Sequence, residues 1–238
     1  ATTEIYTLSL HDALPIWTLI ALTELTFKVL PMKNSTGTLI IHEDNKDEIA
    51  KLFNNLLGSS NEISGSVFVP IEPNNKKYIQ NREKIFSFND LKNEGPFLAL
   101  RMEGSKKSID ERIRDLTIEM DLKSKKKSLL DIHQSLLFWK RINNLEIFSN
   151  TKNTLVRVVI PPSKCINLMK YLDHSYKYYI DWCGSLFWIE ISNMSEEKLL
   201  SIKNYITELS GYLTVIKNSE NSTALKDIFT IDETRLNI

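Results

Sequence analysis

Twice along this chain a short apolar run precedes a stretch of helical period, and two more apolar runs follow. That order restricts the fold more than any other feature. A helical stripe must bury its apolar face, and alternating strands beside it offer a sheet to bury it on. The first copy reads TLIIHE after Gly37, then NKDEIAKLFNNLLG, EISGSVFVP and FLALRMEGS. The second reads LVRVVIPP, SKCINLMKYLD, YKYYIDW and SLFWIEIS, with a turn near Cys183-Gly184. The copies share topology and no visible sequence identity.

Local chemistry supports each helix. Asn45 with Glu48 has capping-box spacing, and Ile49, Leu52, Phe53, Leu56 and Leu57 form one stripe, with Gly58 suited to the C′ position. A helix beginning near Ser108 buries Ile109, Ile113, Leu116 and Met120, and a third over about 128–144 turns Leu129, Ile132, Leu136 and Leu137 inward. Cys165, Leu168, Met169 and Leu172 share a face, as do Leu199, Ile202, Ile206 and Leu209 in a helix ended by Gly211. YLTVIK is the last clear strand. Thr18–Leu30 has strand composition and stops at Pro31, whereas residues 71–83 are polar and read as a loop. The expected fold class is α+β: a mixed or antiparallel sheet with helices on one face, built from two strand–helix–strand–strand halves. The other face must be covered or must line a site.

Charge is balanced, Lys+Arg 30 against Asp+Glu 30, which argues against a general polyanion binder. The densest basic run, Lys123 to Lys127, reads as a solvated loop between helices. Two cysteines, Cys165 and Cys183, suit a reduced compartment. No apolar run approaches the roughly 20 residues that span a bilayer. The first sixteen residues hold Glu4 and Asp12 but no Lys or Arg, so they do not read as a secretory signal.

No metal spacing emerges from His11, His42, His133 and His174, and the chain lacks GxSxG, P-loop and GxGxxG patterns. Cys183 reads as a small turn or core residue rather than a nucleophile. Two arginines stand mid-strand among apolar residues, Arg101 in FLALRME and Arg157 in LVRVV. A buried guanidinium needs a partner. One reading is a salt bridge or a solvated sheet face; the other is carboxylate recognition by the planar fork. Alternation places Arg157 opposite Val156 and Val158, and the valines suit the helix-packed face better. Trp182 and Trp188 on the neighbouring hairpin read either as core or as walls for a flat cofactor.

TLIALTELTFKVLP resembles the segment by which FAD-dependent oxidases of the vanillyl-alcohol oxidase type pass from the flavin domain into the cap domain. SGSVFVP, FLALRMEGS, LVRVVIPPS and IDWCGSLFWIEI, in that order, resemble one branch, the FAD-binding subunit of bacterial glycolate oxidase. By contrast, YTLSLHDALPI resembles a translated sequencing adapter, and Trp17 stands where the family has glycine. The resemblance implies residues 1–17 as a non-native segment, 18–30 as the strand joining a missing FAD-binding domain to the cap, and 31–238 as the cap. It implies a fragment of a 2-hydroxy-acid (glycolate) oxidase or dehydrogenase, with FAD in the full-length protein but largely not bound here. Substrate contacts would fall to Arg157, Arg101, Trp182 and Trp188, and residual flavin contacts to Thr18, Ala21 and Leu22. The implied partners are a paralogous flavoprotein subunit and an iron–sulfur subunit, in the cytoplasm beside the inner membrane. The carboxyl end, Arg235 to Ile238, stops short of the family's usual closing segment. A non-enzymatic α+β module that binds a partner or small ligand stays open as the alternative.

Overall fold

The computed structural model describes residues 33–70, 95–172 and 176–219. The expectations for residues 1–17, for Thr18–Leu30 with Thr18, Ala21 and Leu22, for the polar stretch 71–83, for His174 and for the carboxyl end lie outside the described residues.

The strands are β1 (Ser35–His42), β2 (Gly65–Val69), β3 (Phe97–Gly104), β4 (Lys127–Leu130), β5 (Thr154–Val159), β6 (Lys177–Asp181), β7 (Leu186–Ile191) and β8 (Tyr212–Lys217). The helices are α1 (Lys46–Gly58), α2 (Lys106–Glu119), α3 (Ile132–Asn143), α4 (Cys165–Tyr171) and α5 (Glu196–Glu208). All eight strands form one sheet in the order β4-β1-β3-β2-β6-β7-β5-β8. Every pairing is antiparallel, so the sheet is not mixed.

That order explains the repeat. β1-α1-β2-β3-α2-β4 forms one half and β5-α4-β6-β7-α5-β8 the other, each a split β-α-β unit with its first strand between its fourth and third. The halves meet where β2 pairs with β6, Val67 opposite Asp181 and Phe68 opposite Ile180. Each half therefore extends one helix and one strand beyond the four-element repeat visible in the sequence.

α1, α2, α4 and α5 pack on one sheet face. Phe53, Leu116, Leu168 and Ile206 meet Leu98, Leu100, Val156, Val158 and Phe187 there in one buried cluster. α3 lies on the opposite face, so the expectation of helices on one face is corrected. Its Phe138, Trp139 and Ile142, with Ile147 and Phe148 from the turn after it, cover Ile40, Val67, Val69, Phe97, Ala99 and Tyr179. α3 belongs to the connector between the halves, not to either repeat.

The α3 region also corrects the local reading. The helix begins at Ile132, capped reciprocally by Asp131 and Gln134. Lys127–Leu130 is a strand, paired with Thr38 to Ile41 of β1. Leu129, Ile132 and Leu136 are exposed, and the inward face is Ser135, Phe138, Trp139 and Ile142. The basic run is not simply solvated either. Lys125 pairs with Glu43, and Lys127 Nζ donates to the carbonyl oxygens of Lys125 at 3.0 Å and Lys123 at 3.3 Å.

Smaller departures concern caps. Asn45 caps α1 through Oδ1, accepting the Asp47 amide at 2.9 Å and the Glu48 amide at 3.3 Å. Glu43, not Glu48, accepts the Asn45 amide, at 2.9 Å. Burial opposes the Glu43 charge, yet the Lys125 ammonium and the two backbone amides outweigh it and hold the carboxyl below its usual range. Gly58 is the last helical residue, with Ser59 as C-cap, and Leu57 is exposed. At the end of α5, Ser210 takes the left-handed conformation (φ 59°), and the Ser210 and Gly211 amides donate to Thr207 O and Ile206 O. Gly211 is needed for space: a Cβ there would lie 2.5 Å from Ile160 Cγ2.

Candidate functional site

β5 alternates as its sequence suggests. Val156 and Val158 are fully buried in the four-helix layer, while Arg157 is half-buried on the opposite face. Register sets Arg157 between Trp188 of β7 and Thr214 of β8. The turn between β6 and β7 brings Trp182 to the same place, with the guanidinium carbon 5.4 Å from its ring centroid. Trp182 is 56% exposed, so the pair is open to a ligand.

The turn is strained. Trp182, Cys183 and Gly184 all have positive φ, at 50°, 48° and 91°. For the two non-glycine residues this costs about 1–2 kcal/mol each. Surrounding contacts hold it. Asp181 Oδ1 accepts the Trp182 amide at 2.7 Å, and Ser66 Oγ accepts the Cys183 amide at 2.7 Å. Gly184 packs so closely that a Cβ would meet Cys165 Sγ at 3.1 Å and Phe53 Cδ2 at 3.2 Å. Strain fixed this way holds Trp182 in a set position.

Burial pushes the Asp181 carboxyl up, opposed by the Trp182 amide and by the charge of Arg101. Burial also pushes the Cys183 thiol up, opposed by the Ser66 hydrogen bond and reinforced by Asp181. A thiol raised in this way is a poor nucleophile at neutral pH, and Cys183 acts as a turn residue.

Arg101 sits elsewhere on the same face. Its Nε donates to Ser64 Oγ at 3.1 Å and its Nη2 to Ser64 O at 3.0 Å. The guanidinium lies 5.1 Å from the Trp139 ring centroid, beneath α3. β3 and β5 are four steps apart in the sheet, which at the usual strand spacing is about 19 Å. Three of the four expected substrate residues, Arg157, Trp182 and Trp188, therefore meet; Arg101 is held by Ser64 and Trp139 instead, and its charge reaches their neighbourhood only through Asp181.

Trp139 and Ser66 are the residues that sequence reasoning missed. Trp139 Nε1 donates to Thr38 Oγ1 at 2.9 Å in a buried site. Thr38→Val keeps the shape but strands that N–H, and stability should fall by about 1–3 kcal/mol. Urea unfolding checks this: the midpoint should drop with the slope unchanged, and an unchanged midpoint would rule out a structural role for the bond.

Among the described residues no group of three or more His, Cys, Asp or Glu could hold a metal ion. Nor is any helix there long and apolar enough to cross a membrane.

No family model and no curated protein matches the chain. Solved structures do. One is 4-ethylphenol oxidase from Gulosibacter chungangensis in an isoeugenol complex, at 11% identity and TM-score 0.42, matching 67% of this chain and 39% of that one. Another is p-cresol methylhydroxylase with substrate bound, at 11% identity and TM-score 0.47, matching 76% of this chain and 43% of that one. The chain thus spans about two fifths of the length of the solved chains it matches, 39% and 43%. Likeness this distant assigns neither family nor activity.

Proposed function

We propose that this chain is the substrate-side cap of a FAD-dependent 2-hydroxy-acid oxidase or dehydrogenase of the vanillyl-alcohol oxidase type, in the branch of the glycolate oxidase FAD-binding subunit. The observation that carries the reading is the placement of Arg157. It stands on the face away from the four helices, between Trp188 and Thr214 and against an exposed Trp182. A guanidinium offers a carboxylate two parallel donors, and the aromatic rings beside it exclude water from one side. The order of SGSVFVP, FLALRMEGS, LVRVVIPPS and IDWCGSLFWIEI supports the branch.

FAD as a whole does not fit the described residues. The end of β3 ahead of α2 leaves no room for a phosphate, because Arg112 fills it: Arg112 Nη2 would lie 2.8 Å from a Gly104 Cβ and donates to Glu103 O. What this chain contributes is binding and orientation of the acid by Arg157, with Trp182 and Trp188 as walls. The paralogous flavoprotein and iron–sulfur subunits are the partners this reading implies, in the cytoplasm at the inner membrane.

The test uses the full-length, FAD-loaded protein. Arg157→Lys should leave the flavin spectrum unchanged and weaken glycolate binding by about 1.5–3 kcal/mol, the loss of a charged hydrogen bond. The readout is a glycolate titration of flavin absorbance. Unchanged affinity in the variant would refute the role of Arg157. A full-length protein that purifies without flavin would favour the alternative, a non-enzymatic module binding through its sheet face.

A further inference from the structure

A second recess lies about four strands from Arg157, between α3 and strands β1 and β3. It has a volume of about 320 Å³ and is lined by Arg101, Glu103, Trp139, Lys140, Asn143 and Asn144 among others. That is the low end of small-molecule sites. Its chemistry is unusual in two respects.

Arg101 is fixed in place. Ser64 takes Nε and Nη2, and the Trp139 ring lies against the guanidinium. Nη1 makes no hydrogen bond among the described residues, and the Arg101 charge also acts on the Asp181 carboxylate. The Lys140 ammonium, the Glu103 carboxylate and the side-chain amides of Asn143 and Asn144 likewise make no hydrogen bond among the described residues, and Lys140, Asn143 and Asn144 are exposed at the rim of the recess.

The recess also carries both signs. Glu103 follows Arg101 by two residues on β3, so both side chains leave the same face, about 6.6–6.8 Å apart at the backbone. Despite this they form no ion pair. A simple anion would meet Arg101 and Lys140 but be repelled by Glu103. A simple cation would meet Glu103 and be repelled by the other two. A ligand bearing both charges satisfies all three. The C-terminal end of α3, at Asn143, adds partial negative charge that favours an ammonium group.

We propose that this recess is a second small-molecule site that holds a zwitterionic amino acid, its carboxylate between Arg101 and Lys140 and its ammonium against Glu103. The proposal does not rest on the flavoprotein reading, because it uses none of Arg157, Trp182 and Trp188: Arg101 and Glu103 stand on β3, four strands from Arg157 on β5.

Calorimetric titration of the full chain tests it, with glycine and β-alanine as probes and propionate and propylamine as single-charge controls. At least one zwitterion should bind at least about tenfold tighter than either control, one charged contact being worth about that factor. Glu103→Gln and Lys140→Met, each checked for an unchanged circular dichroism spectrum, should each weaken that binding about tenfold. Arg157→Lys should leave it unchanged.

Propionate binding as tightly as β-alanine, or tightening in Glu103→Gln, would overturn the proposal in favour of a simple anion site. No heat from either zwitterion at about 10 mM, beyond the weak end of small-ligand affinity, would overturn it outright. Loss of binding in Arg157→Lys would show a single site and overturn it as a second one.

Discussion

Replacing Glu190 alone by leucine should lower stability by about 3–5 kcal/mol, the cost of removing one member of a buried charge pair. Glu190 Oε2 lies 3.2 Å from Lys177 Nζ, and the two side chains are only 13% and 11% exposed. They face each other across β6 and β7. Asn153 Nδ2 donates to Glu190 Oε1 at 2.7 Å, and Lys177 Nζ donates to Ile147 O at 2.6 Å while lying 5.1 Å from the Phe148 ring centroid. The cluster thus ties the turn after α3 to the second half of the sheet. Adding Lys177→Met should recover most of the loss, because a well-packed apolar pair does not carry the desolvation cost. Denaturant unfolding of the three variants checks this. A single-variant loss below about 1 kcal/mol, the range of exposed pairs, would mean that water already reaches the lysine.

Phe53→Ala should cost a comparable amount, about 3–5 kcal/mol, as a large core ring is removed and the cavity only partly closes. Phe53 is fully buried on α1. Its ring also lies 3.2 Å from the place a Gly184 Cβ would take. The helix therefore supports the strained β6–β7 turn from below, and losing the ring should loosen the turn as well as the core. Amide exchange separates the two effects. The Cys183 amide, bonded to Ser66 Oγ at 2.7 Å, should exchange faster in the variant even after correction for global stability. If it follows global unfolding alone, Phe53 is core and nothing more, and Trp182 owes its position to Ser66 and Asp181.

The legible part of this fold is the part written in local patterns. β5 shows the point. Val156 and Val158 alternate with Arg157, and alternation alone separates the packed face from the other. α5 is equally plain, since Leu199, Ile202 and Ile206 recur at helical spacing and are buried. The candidate site was legible for the same reason: Arg157 is a charge in an apolar strand, and Trp182 and Trp188 flank a turn marked by glycine. Trp139 and Ser66 carry no such mark. Each acts through a partner 101 and 117 residues away along the chain, Thr38 and Cys183.

Sequence by itself determined the two strand–helix–strand–strand units, the buried stripes of α1, α2, α4 and α5, and the face on which Arg157 stands. These follow from periods of 2 and 3.6 residues, which the chain carries wherever it goes. Tertiary structure decided three further things. It joined the halves through β2 and β6, added β4 as a partner for β1, and laid α3 on the opposite face. Of the expected stripe Leu129, Ile132, Leu136 and Leu137, Leu129 falls in β4, Ile132 and Leu136 are exposed and only Leu137 packs partly on the sheet, because Phe138, Trp139 and Ile142 offer a larger apolar surface and took it. Strand partners and the choice between two apolar stripes depend on what each residue meets across the fold. Hence Arg101 and Arg157, alike in the sequence, ended about 19 Å apart by strand spacing, one against Ser64 and Trp139 and the other against Trp182.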